Sequence, residues 1–133
     1  MPNIELKFLS VSDYNRLKEA MIEAYPAMPH AYWKERHVEL LTRAFPEGQV
    51  IITIDGELAG GALSIIVDYA RFEPGHTYRE ITGDFTFSTH DPEGDILYGI
   101  DIFIRPKFRG LRLGRRLYDY RKELCERLNL RGI

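Results

Sequence analysis

The sequence predicts a mixed α/β domain of the layered α+β kind, with elements in the order β-α-α-β-β-β-α. Three observations carry that expectation. Alternating apolar residues mark strands early and late in the chain, two stripes at helical spacing lie side by side after the first strand, and Asp55-Gly56 separates two β-branched runs as a hairpin turn does. A chain of 133 residues, 44% apolar and 29% charged, is sized and composed for one ordinary globular core.

Residues 4–9 alternate, with Ile4, Leu6 and Phe8 on one face, and Ser10 or Ser12 then offers an N-cap. Over 13–25, Tyr14, Leu17, Met21 and Ala24 recur at helical spacing until Pro26 and Pro29 close the helix. The second stripe, Trp33, His37, Leu40, Leu41 and Ala44, ends in the turn residues Phe45-Pro46-Glu47-Gly48. Residues 49–54 and 58–69 make the antiparallel hairpin. Between 70 and 94 the chain mixes Gly, Pro, His and acidic residues, with a helical turn near 78–81; a connection this long is expected to carry a lid or substrate contact. Residues 95–104 alternate most clearly, with Ile96, Tyr98, Ile100, Ile102 and Ile104 on one face and Leu97, Gly99, Asp101 and Phe103 on the other. Pro106 stops that strand, and residues 110–129 form a helix with the stripe Leu113, Leu117, Tyr120, Leu124 and Leu128. Arg131-Gly132-Ile133 reads as the start of another strand.

Composition narrows the function classes. The lone Cys125 precludes an internal disulfide and lies beside the last helical stripe, so it reads as core. His30, His37, His76 and His90 lack zinc spacing, and no metal is expected. The N-terminus has no basic-then-apolar leader, and no apolar run approaches the ~20 residues of a membrane-crossing helix, which predicts a cytoplasmic protein with no membrane partner. Net charge is −2 but uneven: from Arg105 onward ten Lys/Arg face three Asp/Glu, against eight and seventeen before it. That basic block lacks the interleaved aromatics of single-strand binders, so no nucleic acid is expected; it is either a solvated helix face or a site for a phosphorylated small molecule.

The stretch 102–117 favours the second reading. It runs from a strand through a short turn into a basic helix, and the first turn of a helix presents unpaired N–H groups at the positive end of its dipole. Gly110 and Gly114 give a ligand access to the backbone, while Arg109, Arg112, Arg115 and Arg116 crowd positive charge where it opposes the dipole, a conflict that a bound polyanion relieves.

This stretch resembles the signature of the GNAT superfamily of N-acetyltransferases, Gln/Arg-x-x-Gly-x-Gly/Ala after a strand ending in a Val-x-Pro-like pattern. Arg109 and Gly114 match its ends, and the element order matches that fold over nearly the whole chain. The resemblance implies an acyl-CoA N-acyltransferase fold and an N-acetyltransferase with acetyl-CoA as cosubstrate and a small-molecule or peptide amine as acceptor. It implies that backbone groups of Phe103 and Ile104 pair with the pantetheine arm, and that Arg109, Gly110, Leu111, Arg112, Leu113, Gly114 and Arg115 cradle the pyrophosphate. Arg112 stands where the family has its first glycine; a positive φ there makes arginine costly, and the expectation is instead a helical φ with the guanidinium on a phosphate. The segments Tyr98-Gly-Ile-Asp-Ile-Phe-Ile and Arg109-Gly-Leu-Arg-Leu-Gly-Arg-Arg-Leu-Tyr resemble the N-terminal GNAT-like region of proteins that continue into a carbon–nitrogen hydrolase domain. Because GNAT domains run on past this helix, the resemblance also implies a single domain over 1–133 that is incomplete at its C-terminus.

Acetyl transfer needs an amine freed of its proton and donors for the developing oxyanion. Asp101, set in an apolar strand where burial would suit it to take up a proton near neutral pH, is the expected base, with Tyr98 or Glu80 assisting through water; the plainer alternative has it bonding a neighbouring backbone N–H. The aromatic and proline-rich segment 25–33 resembles the GNAT loop that closes over the acceptor. The competing function is a non-catalytic GNAT-like interaction module, a homodimer joined through an open sheet edge.

Overall fold

The computed structural model describes residues 2–28, 30, 32–72 and 75–133; Pro29, read above as a helix stop, lies outside them. One antiparallel sheet has the order β1-β2-β3-β4, formed by β1 (Ile4–Phe8), β2 (Val50–Ile54), β3 (Glu57–Val67) and β4 (Ile96–Ile104). On one face lie α1 (Tyr14–Ala24), α2 (Glu35–Ala44) and the short α3 (Tyr78–Ile81); on the other lies α4 (Leu113–Arg127).

Period-two alternation sorts the central strands between the two layers. Ile51, Leu63, Ile65 and Val67 pack with Leu17, Met21, Val38 and Leu41 of α1 and α2, whereas Val50, Ile52, Ile54 and Ala62 pack under Leu113 and Leu117 of α4. Both faces of β2 and β3 are covered, which is why these runs are apolar throughout. The hairpin turn is at Asp55 and Gly56, both with positive φ (51° and 84°), the combination that matches strand twist in a two-residue loop.

Three helical expectations change in detail. In α2 the buried pair is Val38 and Leu41, while Leu40 is 39% exposed and Trp33 precedes the helix. In α4 the stripe is Leu113, Leu117, Arg121, Leu124 and Cys125, with Leu128 beyond the helix and 36% exposed. That helix starts at Leu113 and not at 110, because Gly110 (φ 88°) and Arg112 (φ 59°) take left-handed backbone that a right-handed helix cannot include. At the other edge, Phe8 ends β1 exposed instead of joining Ile4 and Leu6.

The strict alternation expected for β4 is broken by a bulge. Leu63 pairs with Asp101 but Ser64 pairs with Gly99, so Ile100 is the extra residue. One inserted residue reverses the facing of all that follows. Ile96 and Tyr98, before the bulge, therefore share the α1/α2 face with Asp101 and Phe103 after it, while Ile102 and Ile104 turn to the α4 layer. Tyr98 and Asp101, which simple alternation puts on opposite faces, end on the same one.

A buried arginine holds the bulge. Arg121 of α4 is 4% exposed, and its Nη2 donates to the carbonyls of Leu63 (2.9 Å) and Asp101 (2.8 Å). A side chain at position 99 would place its Cβ 2.8 Å from Arg121 Nη1 and push the guanidinium from its place, so glycine suits the site. Burial depresses the guanidinium pKa, and among the described residues no carboxylate pairs with it. Arg121→Met should remove that desolvation cost but leave two buried carbonyls without this donor, for a net loss of about 2 kcal/mol in a urea titration.

The last residues form an isolated bridge where a strand was expected to start. Gly132 bridges Ile96 in parallel, with Leu97 N–H donating to Gly132 O (2.9 Å) and Arg131 N–H to Asp95 O (2.7 Å). No described helix is long and apolar enough to cross a membrane.

Candidate active site

The end of β4 and the start of α4 frame a groove of about 290 Å³, lined by Ala24, Tyr25, Phe103, Ile104, Gly114 and Tyr118 among others, with Arg109 at its side. Arg105, just after β4, fixes the turn: it pairs with Glu57 (2.9 Å) and Glu23 (2.5 Å), and its own N–H donates to Ala59 O (2.8 Å). From that inward bond, antiparallel alternation turns the backbone groups of Ile104 and Ile102 to the open edge of β4. Arg109 reaches back to the Ala24 carbonyl at the end of α1 (3.4 Å).

The first intrahelical bond of α4 runs from Arg116 N–H to Arg112 O (3.2 Å), and Arg112 supplies no side-chain cap. The N–H groups of Leu113, Gly114 and Arg115 thus stand at the helix start without an intrahelical acceptor. Gly114 is the telling residue. Its φ is not positive, and a Cβ built on it meets nothing within 4 Å, so neither backbone strain nor packing of this chain calls for glycine there. The space it leaves adjoins the groove. A pyrophosphate-bearing ligand fits this arrangement: free N–H donors, an open glycine and flanking arginines.

Arg112 overturns the expectation of a helical φ. At φ 59° and ψ 30° it sits in the left-handed region, the conformation for which glycine is favoured. Its side chain is exposed. Arg112→Gly should therefore raise the unfolding free energy by about 1 kcal/mol despite glycine's greater freedom when unfolded, read as a rise in Tm.

On the same side of the sheet, Asp101 opens onto a cavity of about 580 Å³ whose walls include Trp33, Tyr78, Phe85 and Ile100. The carboxylate is half-buried and bonded to side chains, not, as the plainer reading had it, to a backbone N–H: Tyr25 Oη donates to Oδ1 (2.7 Å) and Trp33 Nε1 to Oδ2 (3.1 Å). Burial, and then the bond to Asp101, pushes the Tyr25 phenol pKa up, so Tyr25 is a donor at neutral pH. Tyr78, raised by burial and by Asp101, donates to Ile100 O (2.5 Å). Tyr98 is half-buried against Tyr78 and His76, raised chiefly by burial, and forms no bond to Asp101. Glu80 is exposed on α3. His37, which lines the cavity, has its pKa lowered by burial, and its Nδ1 accepts Lys34 N–H (3.0 Å); the neutral ring then carries its proton on Nε2 and has no free lone pair to act as a base. Among the described residues no group of three or more His, Cys, Asp or Glu is placed to hold a metal.

Groove and cavity meet at Tyr25, whose ring lines the first and whose hydroxyl bonds the carboxylate of the second. The sequence model of the Acetyltransferase (GNAT) family matches residues 14–133. The chain belongs to the GNAT acetyltransferase family.

Two relatives and one solved structure place it further. The chain is 34% identical over 131 residues to the probable hydrolase YhcX of Bacillus subtilis (strain 168), covering 98% of this chain and 24% of that protein. It is 30% identical over 115 residues to the uncharacterized N-acetyltransferase YkwB of the same organism, covering 85% of this chain and 51% of that protein. It thus spans about a quarter and about half of their lengths, and the first likeness fits the resemblance to GNAT-like regions joined to a hydrolase. The GphF GNAT-like decarboxylase, solved with isobutyryl-CoA, superposes with a TM-score of 0.73 at 18% identity, over 87% of this chain and 56% of that one, which is a likeness of fold.

Within the GNAT frame, the structure brings Phe103, Ile104, Arg109 and Gly114 together around the groove and gathers Gly110, Leu111, Arg112, Leu113 and Arg115 in the adjoining turn, with Leu113 itself buried. Sequence reasoning missed Tyr25, Trp33, Tyr78 and Tyr118 as individual site residues. The aromatic clustering in 25–33 pointed toward the first two. Tyr118, four residues after Gly114 on the same helical face, was findable from spacing alone.

Proposed function

We propose that the chain transfers an acetyl group from acetyl-CoA to a primary amine. The observation that supports this most is the adjacency, through Tyr25, of an anion-receiving groove and a two-donor carboxylate facing an aromatic cavity. In this reading the pantetheine arm lies along the open edge of β4 at Ile102 and Ile104, not against Phe103, whose backbone groups turn inward to β3, and the pyrophosphate sits on the turn from Arg109 to Arg115. Bound acetyl-CoA supplies an activated acyl carbon: the amine nitrogen bonds to it as the C–S bond breaks, and CoA leaves as a thiolate that takes the nitrogen's remaining surplus proton to become the thiol.

The chain's own groups orient the amine and take its proton. Asp101 holds each oxygen in place with one donor and keeps a lone pair on each for the incoming ammonium. The proton passes to that carboxylate, the apolar walls favouring the neutral amine over the ammonium. Tyr98 shapes the wall beyond Tyr78. The GNAT-like proteins solved with CoA-type ligands, such as the GphF complex, support the cosubstrate. The test is release of free CoA thiol from acetyl-CoA in the presence of primary amines. Amine-dependent release is expected; a chain that binds CoA but releases no thiol above background with any amine would leave the interaction module as the better reading.

A further inference from the structure

We propose that the amine accepted at Asp101 is a monocation carried one or two carbons from an aromatic ring, and that polyamines and aminoglycosides are rejected. This rests on the reading of Asp101 as the proton acceptor. Rings make up most of the cavity's walls, beside Met28 and Ile100: Trp33 and Tyr78 lie within 22° of parallel, and Phe85 stands edge-on to Trp33 at 5.7 Å between centroids. A flat apolar group can stack on these faces or meet their edges, and such pairs contribute beyond the area they bury.

Among the described residues Asp101 is the one carboxylate lining this cavity, and so the one counter-ion they offer an ammonium there. Further cationic groups would meet like charge at the rim. Lys18 and Lys34 both stand over the ring of Tyr32, at 4.8 and 5.7 Å from its centroid, and Arg79 stands over Phe85 at 5.7 Å. Arg79 is already paired, with Asp84 at 2.6 Å, so that acid is not free for a second ammonium. Each extra charge on a polyamine would thus be desolvated without a partner, which costs more than it returns. A cavity of about 580 Å³ holds a ring with its short amine arm and leaves it room to approach the groove.

Two sources present this chemistry: a free arylalkylamine, and the N-terminus of a peptide beginning with an aromatic residue. Both are separated by one experiment. The sole tryptophan of the sequence, Trp33, is itself a wall of the cavity, so its emission reports occupancy without any turnover. The chain is titrated with 2-phenylethylamine, with the peptide amide Phe-Ala-Ala and with spermidine, each with and without saturating desulfo-CoA. The expected result is a saturable change with 2-phenylethylamine or the peptide at a Kd at least tenfold below that for spermidine, weakened about tenfold or more by Phe85→Ala. Spermidine binding as tightly as both aromatic amines, or no change with either aromatic amine up to millimolar concentration, overturns the proposal. Binding is read apart from transfer: aromatic amines that occupy the cavity while no thiol is ever released would sink acetyl transfer and keep the aromatic preference, and spermidine-dependent release would do the reverse.

Discussion

Replacing Gly114 with leucine is expected to lower affinity for CoA by about 100-fold, which is about 2.7 kcal/mol, while leaving the fold at least as stable. The two halves of that expectation have separate physical causes. In the free chain, a side chain at this position projects into open space, since an added Cβ meets no atom within 4 Å, and glycine in a helix costs up to about 1 kcal/mol relative to alanine. Gly114→Ala should therefore raise Tm slightly, and Gly114→Leu should not lower it. A ligand lying against the first turn of α4 fills the same space and needs the N–H groups beneath it, so the leucine side chain would displace the pyrophosphate from its donors. Calorimetry with acetyl-CoA and desulfo-CoA, alongside thermal melts, reads both effects. Undiminished affinity in the leucine variant would show that the phosphates bind elsewhere. Loss of affinity together with loss of stability would mean that the glycine serves the fold, contrary to the open space around it.

This asymmetry marks how far the sequence could be read. Element order and the anion-binding turn were legible because they depend on local patterns: period two in β1 and β4, β-branched runs broken by Asp55-Gly56 in β2 and β3, period 3.6 in α1 and α4, and glycines at the helix start. The composition of the acceptor cavity was not, since Trp33 comes from the α1–α2 connection and Tyr78 and Phe85 from the β3–β4 connection, and they meet only when the fold brings the two together. The facing of β4 was misread for a different reason. Its alternation is perfect in the sequence, and nothing local announces that Ile100 is skipped in the pairing with β3. The cause lies twenty residues away, in Arg121, a charged residue in the middle of an apolar stripe, opposite a glycine whose missing side chain admits it. A charge on a core stripe and a glycine inside a strand are each weak signals, but together they mark a bulge held by a side chain from the other layer. Arg112 gave the opposite lesson: its backbone is left-handed, the conformation that favours glycine, and the chain holds it with an arginine in place, against local preference.

The bulge also decides what Asp101 can do, and Asp101→Asn is expected to lower kcat for acetyl transfer by roughly 10²- to 10⁴-fold, the usual span for loss of a positioned base. The substitution is nearly isosteric, and the fold has a way to absorb it. The amide oxygen can still accept from Trp33 Nε1, while Tyr25 Oη can accept from the amide nitrogen and redirect its own proton to Ile102 O, 3.2 Å away. Stability and CoA affinity should therefore change little, because neither the groove nor the helix start involves this carboxylate. On the proposed reading, what is lost is the acceptor for the amine proton. The neighbouring groups offer no substitute, since burial keeps the Tyr25 and Tyr78 phenols protonated and the neutral His37 ring has its free lone pair engaged by Lys34 N–H. Rates measured with a strongly basic amine and with a weakly basic one such as an aniline separate the roles further. The weakly basic amine arrives already neutral, so its rate should fall less in the variant than that of the strongly basic amine. An Asn variant that retains activity within threefold for both would reduce Asp101 to an anchor for Tyr25 and Trp33, and would leave bulk water to take the proton.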